Sequence, residues 1–186
     1  ATPNAKVSVT SLVELSEMGS AIIVDPAMQK LKRVAKAELF FVIFDKNKPS
    51  LKLLNSVADE NIFTIRETGI LPLAIDTLRF FWWCRQRRID SVIDLELFSR
   101  YSALLTGLSG AVNRVGFHAF HNEGLYRGAM LSHKVSYNPH QHIVRSFIAL
   151  VNALLSDKPE VPYSKTLISD EEIKLRQVSV SEEQKS

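Results

Sequence analysis

Two apolar patterns alternate along this chain: short, nearly continuous runs, and longer stretches whose apolar residues recur with helical spacing. Residues 6–10 (KVSVT) are a short β-rich run, and residues 21–34 then carry helical periodicity with Pro26 early in it. Proline is best tolerated near a helix start, and deeper in it would kink the axis. Glu38–Phe44 (ELFFVIF) is a near-continuous apolar run of strand length, as expected of a strand covered on both faces. Residues 45–49 turn the chain into a short helix over 50–57, and residues 61–65 (NIFTI) form a third strand. The most strongly patterned helix covers 71–88, with Leu71, Ala74, Ile75, Leu78, Phe81 and Trp82 at the spacing of one buried face. Arg85, Arg87 and Arg88 fall in its last turn, where cations complement the helix dipole. A fourth strand over 91–95 (SVIDL) leads to a helix over 98–108, with Leu97, Tyr101, Leu104, Leu105 and Leu108 on one side. Ser109-Gly110 stops it. Residues 114–117 (RVGF) are a fifth, short strand, followed by a loop from His118 to Asn138. Asn138-Pro139 then opens the last core helix as N-cap and first residue, with Ile143, Phe147, Leu150, Val151 and Leu154 as its buried stripe.

Strands alternating with helices in this way imply a parallel α/β sheet, whose ligands bind at the carboxyl edge where strand order reverses. The loops after Thr10, Phe44, Ile65, Leu95 and Phe117 are therefore the ones expected to carry function. Residues 1–155 read as one domain. After Ser156 the composition turns to Pro, Ser, Glu and Lys, and residues 156–186 read as a linker or tail.

Composition narrows the function classes. The chain has 186 residues, 46% of them hydrophobic, enough for a sizeable core, and a net charge of +3. That mild basicity lacks the dense Lys/Arg stripe of a nucleic-acid binder but suits an acidic ligand such as a phosphorylated sugar. The lone Cys84, set in Phe81-Trp82-Trp83, reads as a buried thiol in a reducing compartment. No apolar run approaches the roughly 18 residues of a membrane span. The first residue is Ala, so an upstream targeting or anchoring segment stays open.

Three segments could carry chemistry. Ser16-Glu17-Met18-Gly19-Ser20 leads into a helix, where glycine permits close backbone approach and the following amides can hold an anion; a plain serine N-cap is the alternative. In Ile93–Arg100, Glu96 falls at the carboxyl edge of a strand and Arg100 about one helical turn later. A carboxylate there can act as a base or accept a hydroxyl, and an arginine can pair with phosphate. The alternative is a Glu96–Arg100 ion pair at the helix start. The third segment is the long loop, with His118, His121, Glu123, Arg127, His133 and Lys134, leading to His140 and His142 at a helix N-terminus. Its histidine clustering argues against an incidental grouping. Metal binding is disfavoured, because residues two apart on a helix do not face each other and neither HExxH nor a Cys cluster is present.

Four stretches, in their order and spacing, resemble glycosyltransferase family 9, the ADP-heptose:lipopolysaccharide heptosyltransferases. They are Ser16 through Pro26, IDLELFSRYSALL, RVGFH, and residues 133–145, within a resemblance running from Val7 to about Leu155. The resemblance implies one half of a GT-B type enzyme: a Rossmann-like parallel sheet with helices on both faces, matching the amino-terminal, acceptor-side domain. The nucleotide-sugar-binding domain has no counterpart in this chain, so the fragment is expected to be inactive alone. The family transfers a sugar from a nucleotide-diphosphate donor with inversion, usually without a metal or other cofactor. Its members imply a glycolipid acceptor of the lipopolysaccharide core, a cytoplasmic location and peripheral contact with the inner membrane.

One departure matters. The family carries Gly-Asp in the first loop, with that Asp as base, whereas this chain has Gly19-Ser20. An unassisted serine hydroxyl is far too weak a base at neutral pH. Glu96, or else Glu17, is the expected replacement. Acceptor contacts are expected from Gly19, Ser20, Arg100, His118, Arg127, His133 and His142. The competing expectation is a non-catalytic module that binds a carbohydrate or a lipid headgroup.

Overall fold

A computed structural model of the chain describes residues 6–15, 22–52, 56–97, 99–119, 130–156, 160–161 and 168–173. In chain order these form β1 (Val9–Val13), α1 (Asp25–Ala35), β2 (Glu38–Phe44), α2 (Lys48–Lys52), β3 (Ile62–Ile65), α3 (Ile70–Gln86), β4 (Ser91–Asp94), α4 (Arg100–Leu108), β5 (Asn113–Ala119), β6 (His133–Ser136), α5 (Ile143–Leu155) and β7 (Glu160–Val161). All strand pairings are parallel, in the order β3-β2-β1-β4-β5-β6-β7. The order reverses between β1 and β4, because the chain builds outward through β2 and β3 before returning to the far side of β1.

The run ELFFVIF forms β2 over the residues anticipated, and its side chains alternate between two cores. Leu39, Phe41 and Ile43 enter one core with Met28 and Leu31 of α1 and Phe147, Leu150 and Val151 of α5. Phe40 and Val42 enter the other with Phe80 and Cys84 of α3 and Leu105 of α4. Such two-sided covering explains why an apolar run without alternation is a strand here. It also accounts for the shift of β1 from 6–10 to Val9–Val13, since Thr10 and Ser11 are small polar residues that are fully buried within it.

Helix ends follow local chemistry. Regular α1 begins at Asp25, which puts Pro26 in its first turn, where the missing N–H costs nothing. Gly110, at φ +84°, follows the end of α4 in the left-handed conformation that glycine adopts most readily. At α5 the sequence expectation fails by four residues. Asn138 Oδ1 accepts from the His140 amide in a local turn, and the cap is His142, whose Nδ1 accepts from the Val144 amide at 3.3 Å. Within the anticipated loop from His118 to Asn138, residues 133–136 instead form β6.

The largest departure concerns α3. Most of the anticipated buried stripe faces water, Phe81 alone packing against the second core: Leu71, Leu78 and Trp82 are 71%, 69% and 64% exposed. Asp76, Phe80 and Cys84, spaced four apart, face the sheet instead. The helix has two apolar faces, and Asp76 disguised the one that packs. Arg66, at the end of β3, resolves that burial: its Nε and Nη2 each donate to the Asp76 carboxylate at 2.8 Å, and its amide donates at 3.0 Å. These bonds hold the Asp76 carboxyl below its usual range. Cys84 is buried as anticipated, and burial pushes its thiol up to about 12, so it is no nucleophile. The described part of 156–186 packs on the domain: β7 joins the sheet, Ile168 is buried in the first core, and Lys30 pairs with Glu172 at 2.9 Å. None of the described helices is long and apolar enough to cross a membrane.

Because the Asp76 carboxyl is depressed in the folded state, its stabilisation is present above the unfolded value of 3.8 and is lost as pH falls through the folded one. Asp76→Asn should cost about 1–3 kcal/mol at neutral pH, lowering Tm by roughly 3–10 °C. The gap from wild type should narrow in melts taken below about pH 4. A gap independent of pH would show that the charge is not what matters.

Candidate active site

The strand-order reversal sets the carboxyl ends of β1 and β4 side by side, with Val13 level with Asp94. Beyond that point the strands diverge, and the Leu95 amide makes a closing bond to the Val13 carbonyl at 3.0 Å. The next residue out, Glu96, turns its Oε1 back to accept the Leu15 amide at 2.8 Å. The Leu15 carbonyl in turn accepts from Asn47 Nδ2 at 2.9 Å, at the exit of β2. Three neighbouring strand exits are thus tied through Leu15, with Glu96 half-buried beside it.

Asp94 is wholly buried and organises the other side of this edge. Its Oδ1 accepts the Glu96 amide at 3.1 Å and its Oδ2 accepts the Ser102 hydroxyl at 3.0 Å. Ser99 caps α4 by accepting the Ser102 amide at 3.1 Å, so one serine fastens the first turn of the helix to the strand. Arg100 is therefore held in that first turn, exposed, and it reaches no carboxylate among the described residues. The arrangement offers a positioned carboxylate that can accept a hydroxyl and a guanidinium available to an anion. Both sit at the sheet edge where this fold class binds ligands.

The histidines separate. His142 lies beyond the carboxyl end of β6, on the same edge as Glu96, though its Nδ1 is committed to capping α5. His118 lies near the carboxyl end of β5, half-buried, with Nδ1 unpaired among the described residues. His133 opens β6 inside the sheet, level with Val115, and is fully buried. Its Nδ1 meets the Ser132 hydroxyl at 2.9 Å, and desolvation holds its pKa below the ordinary value. Glu17, Gly19, Ser20 and Arg127 fall outside the described residues. No cluster of three or more His, Cys, Asp or Glu side chains suited to a metal occurs among the described residues.

Sequence reasoning passed over Asp94, Asn47 and the buried Glu14 at the end of β1. A signal for the acidic pair was present, since a carboxylate closing an apolar strand (LVE, VID) has no reason to be there unless it is held.

No known family model matches this sequence, and none of the curated proteins matches it. Solved structures do. Escherichia coli heptosyltransferase WaaC with ADP superimposes with a TM-score of 0.63 at 18% identity, covering 89% of this chain and 51% of that one. The same enzyme with ADP-2-deoxy-2-fluoro heptose gives 0.61 at 17% identity, covering 79% and 48%. A family 9 glycosyltransferase from Veillonella parvula DSM 2008 gives 0.60 at 13% identity, covering 82% and 43%. This chain therefore shares a Rossmann-like α/β fold with these heptosyltransferase and family 9 glycosyltransferase structures, and it spans about half the length of the structures it matches.

Proposed function

We propose that this chain is the acceptor-binding portion of an inverting glycosyltransferase, taking a phosphorylated glycolipid core as acceptor. The nucleotide-diphosphate sugar would be held by a domain not represented in the 186 residues. The observation that carries this reading is Glu96, fixed through the Leu15 amide at the β1–β4 reversal of a fold shared with an enzyme solved with an ADP-sugar analogue. Glu96 would take the proton of the acceptor hydroxyl as its oxygen forms the new bond to the anomeric carbon. The bond to the nucleotide diphosphate breaks on the opposite face, and the leaving group departs with the electron pair. A carboxylate suffices as base because the hydroxyl becomes acidic only as it attacks. Arg100 would pair with an acceptor phosphate, and His118 and His142 would line the same edge. Glu17 remains the second candidate for base. Work at the cytoplasmic face of the inner membrane follows from such an acceptor.

A non-catalytic reading, in which the chain only binds a carbohydrate or a lipid headgroup, is favoured by Ser20 standing where the family keeps its Asp. Transfer itself discriminates. With a donor domain supplied, Glu96→Gln should lower turnover by about 100- to 10,000-fold while circular dichroism stays unchanged. Unaltered turnover would remove Glu96 as base, and absence of any transfer by wild type would favour the binding module.

Binding can be read on this chain alone. Titration with a phosphorylated glycolipid core should shift the amide resonances of Leu15, Glu96 and Arg100, and nucleotide sugar should leave them in place. Arg100→Ala should weaken that binding by about tenfold, the loss expected for one charge-assisted contact. An unchanged affinity would exclude Arg100 as a phosphate contact.

A further inference from the structure

The outward side of α3 repeats the interval of a helix seam. Leu71, Ile75, Leu78 and Trp82 are exposed and lie four, three and four residues apart, the a/d spacing that keeps a narrow apolar stripe facing a second helix. The fold leaves this stripe unused, because α3 packs on the sheet through Phe80 and Cys84 on its other side. Trp82 and Trp83 show the division within one dipeptide. Trp83 lies against Phe40, Phe63 and Phe80, whereas Trp82 is exposed. Ala74, exposed beside the stripe, leaves room for another backbone to approach.

Area sets the size of what covers it. With Ile70, these side chains leave on the order of 700 Å² of apolar surface open to water, more than the few hundred Å² that a monomer usually leaves contiguous. The Thr77 and Tyr101 hydroxyls, 2.7 Å apart, join α3 to α4, which adds exposed Leu104 and Leu108. A standard protein interface buries about 800 Å² on each partner, so this layer is large enough to hold one.

Symmetry and charge choose the partner. The stripe reads the same from both ends. A two-fold axis beside residues 76 and 77 sets Leu71 against Trp82, and Ile75 against Leu78, of an antiparallel second copy of α3. In that register Arg85 falls level with Glu67 and Thr68 of the second copy, and both Arg85 and Glu67 are exposed. The other arginines of the helix do not oppose one another. Arg79, paired with Asp76 at 3.6 Å, falls level with Ala74 of the second copy. Arg87 is turned toward the sheet, with its guanidinium 5.7 Å from the centre of the Phe40 ring and Nη2 donating to the Glu60 carbonyl. A parallel pair would instead align Arg79 with Arg79 and Arg85 with Arg85, and would set the two helix dipoles side by side in the same direction.

We propose that α3 pairs with α3 of a second copy, antiparallel across a two-fold axis at residues 76 and 77, so that the chain dimerises through this helix layer. This does not rest on the transfer reading, and its test needs neither donor nor acceptor.

Sedimentation equilibrium of the full chain should give the mass of two chains at micromolar concentration. Leu78→Glu should raise the dissociation constant by about 100-fold or more, since each copy would bury a charge in the seam. Circular dichroism of that variant should be unchanged, because the residue is exposed in the single chain. Arg85→Glu and Glu67→Arg should each weaken the dimer several-fold, and the double variant Arg85→Glu/Glu67→Arg should recover most of the loss. A mass of one chain up to about 100 μM would overturn the proposal, because an interface of this size holds at micromolar concentration or below. A dimer that Leu78→Glu leaves intact would overturn it as well. Failure of the double variant to recover would overturn the antiparallel register. A single chain that sediments with lipid vesicles through the same stripe would overturn the pairing and assign the stripe to a membrane.

Discussion

The central strands of this sheet are covered on both faces, and most of the structure follows from that burial. A strand with no wet side cannot place a charged group along its length without a partner, so polar chemistry is driven to the ends. Thr10 and Ser11 are small enough to stay inside β1, whereas the carboxylates of Glu14, Asp94 and Glu96 appear where β1 and β4 end. The strand-order reversal then supplies a place where two such ends lie together. Glu96 occupies it with its position fixed by the Leu15 amide and, through Asn47, by the exit of β2.

The same burial makes the edge rigid. Asp94 serves the Glu96 amide and the Ser102 hydroxyl at once, so the end of a buried strand and the first turn of the next helix move as one unit. A carboxylate that must receive a proton at a defined atom gains from such support, because misplacement of about an ångström is costly in catalysis. The histidines show the contrast. His133 is packed within the sheet, and His142 is occupied in starting α5, so neither is held toward the edge as Glu96 is.

Much was legible in the residues. The α/β class, the exact span of β2, the stripe of α5 and the buried Cys84 each followed from a single local signal: an apolar run, a helical spacing or an aromatic setting. The heptosyltransferase-like fold was legible through short ordered motifs, and the structural likeness agrees with it. Most of what was not legible shares a cause. The faces of α3 and the strand β6 depend on partners distant in sequence, whereas α5 starts by a choice between two local caps, Asn138 and His142. Asp76 is buried only because Arg66, ten residues away, pairs with it, and Leu71, Ile75, Leu78 and Trp82 looked like core because spacing records periodicity and not direction.

The sequence by itself determined most of the strands and helices, β6 and β7 excepted, and that Glu96 and Arg100 flank a strand-to-helix passage. Those properties are set within a few residues by side-chain spacing, turn chemistry and capping. Only the tertiary structure decided that the Leu15 amide fastens Glu96, that Asp94 anchors α4, and which apolar face of α3 is buried. Each of these is a choice among contacts 8 to 81 residues apart in sequence, made when the sheet closes between its two helix layers and a polar group left inside without a partner becomes costly.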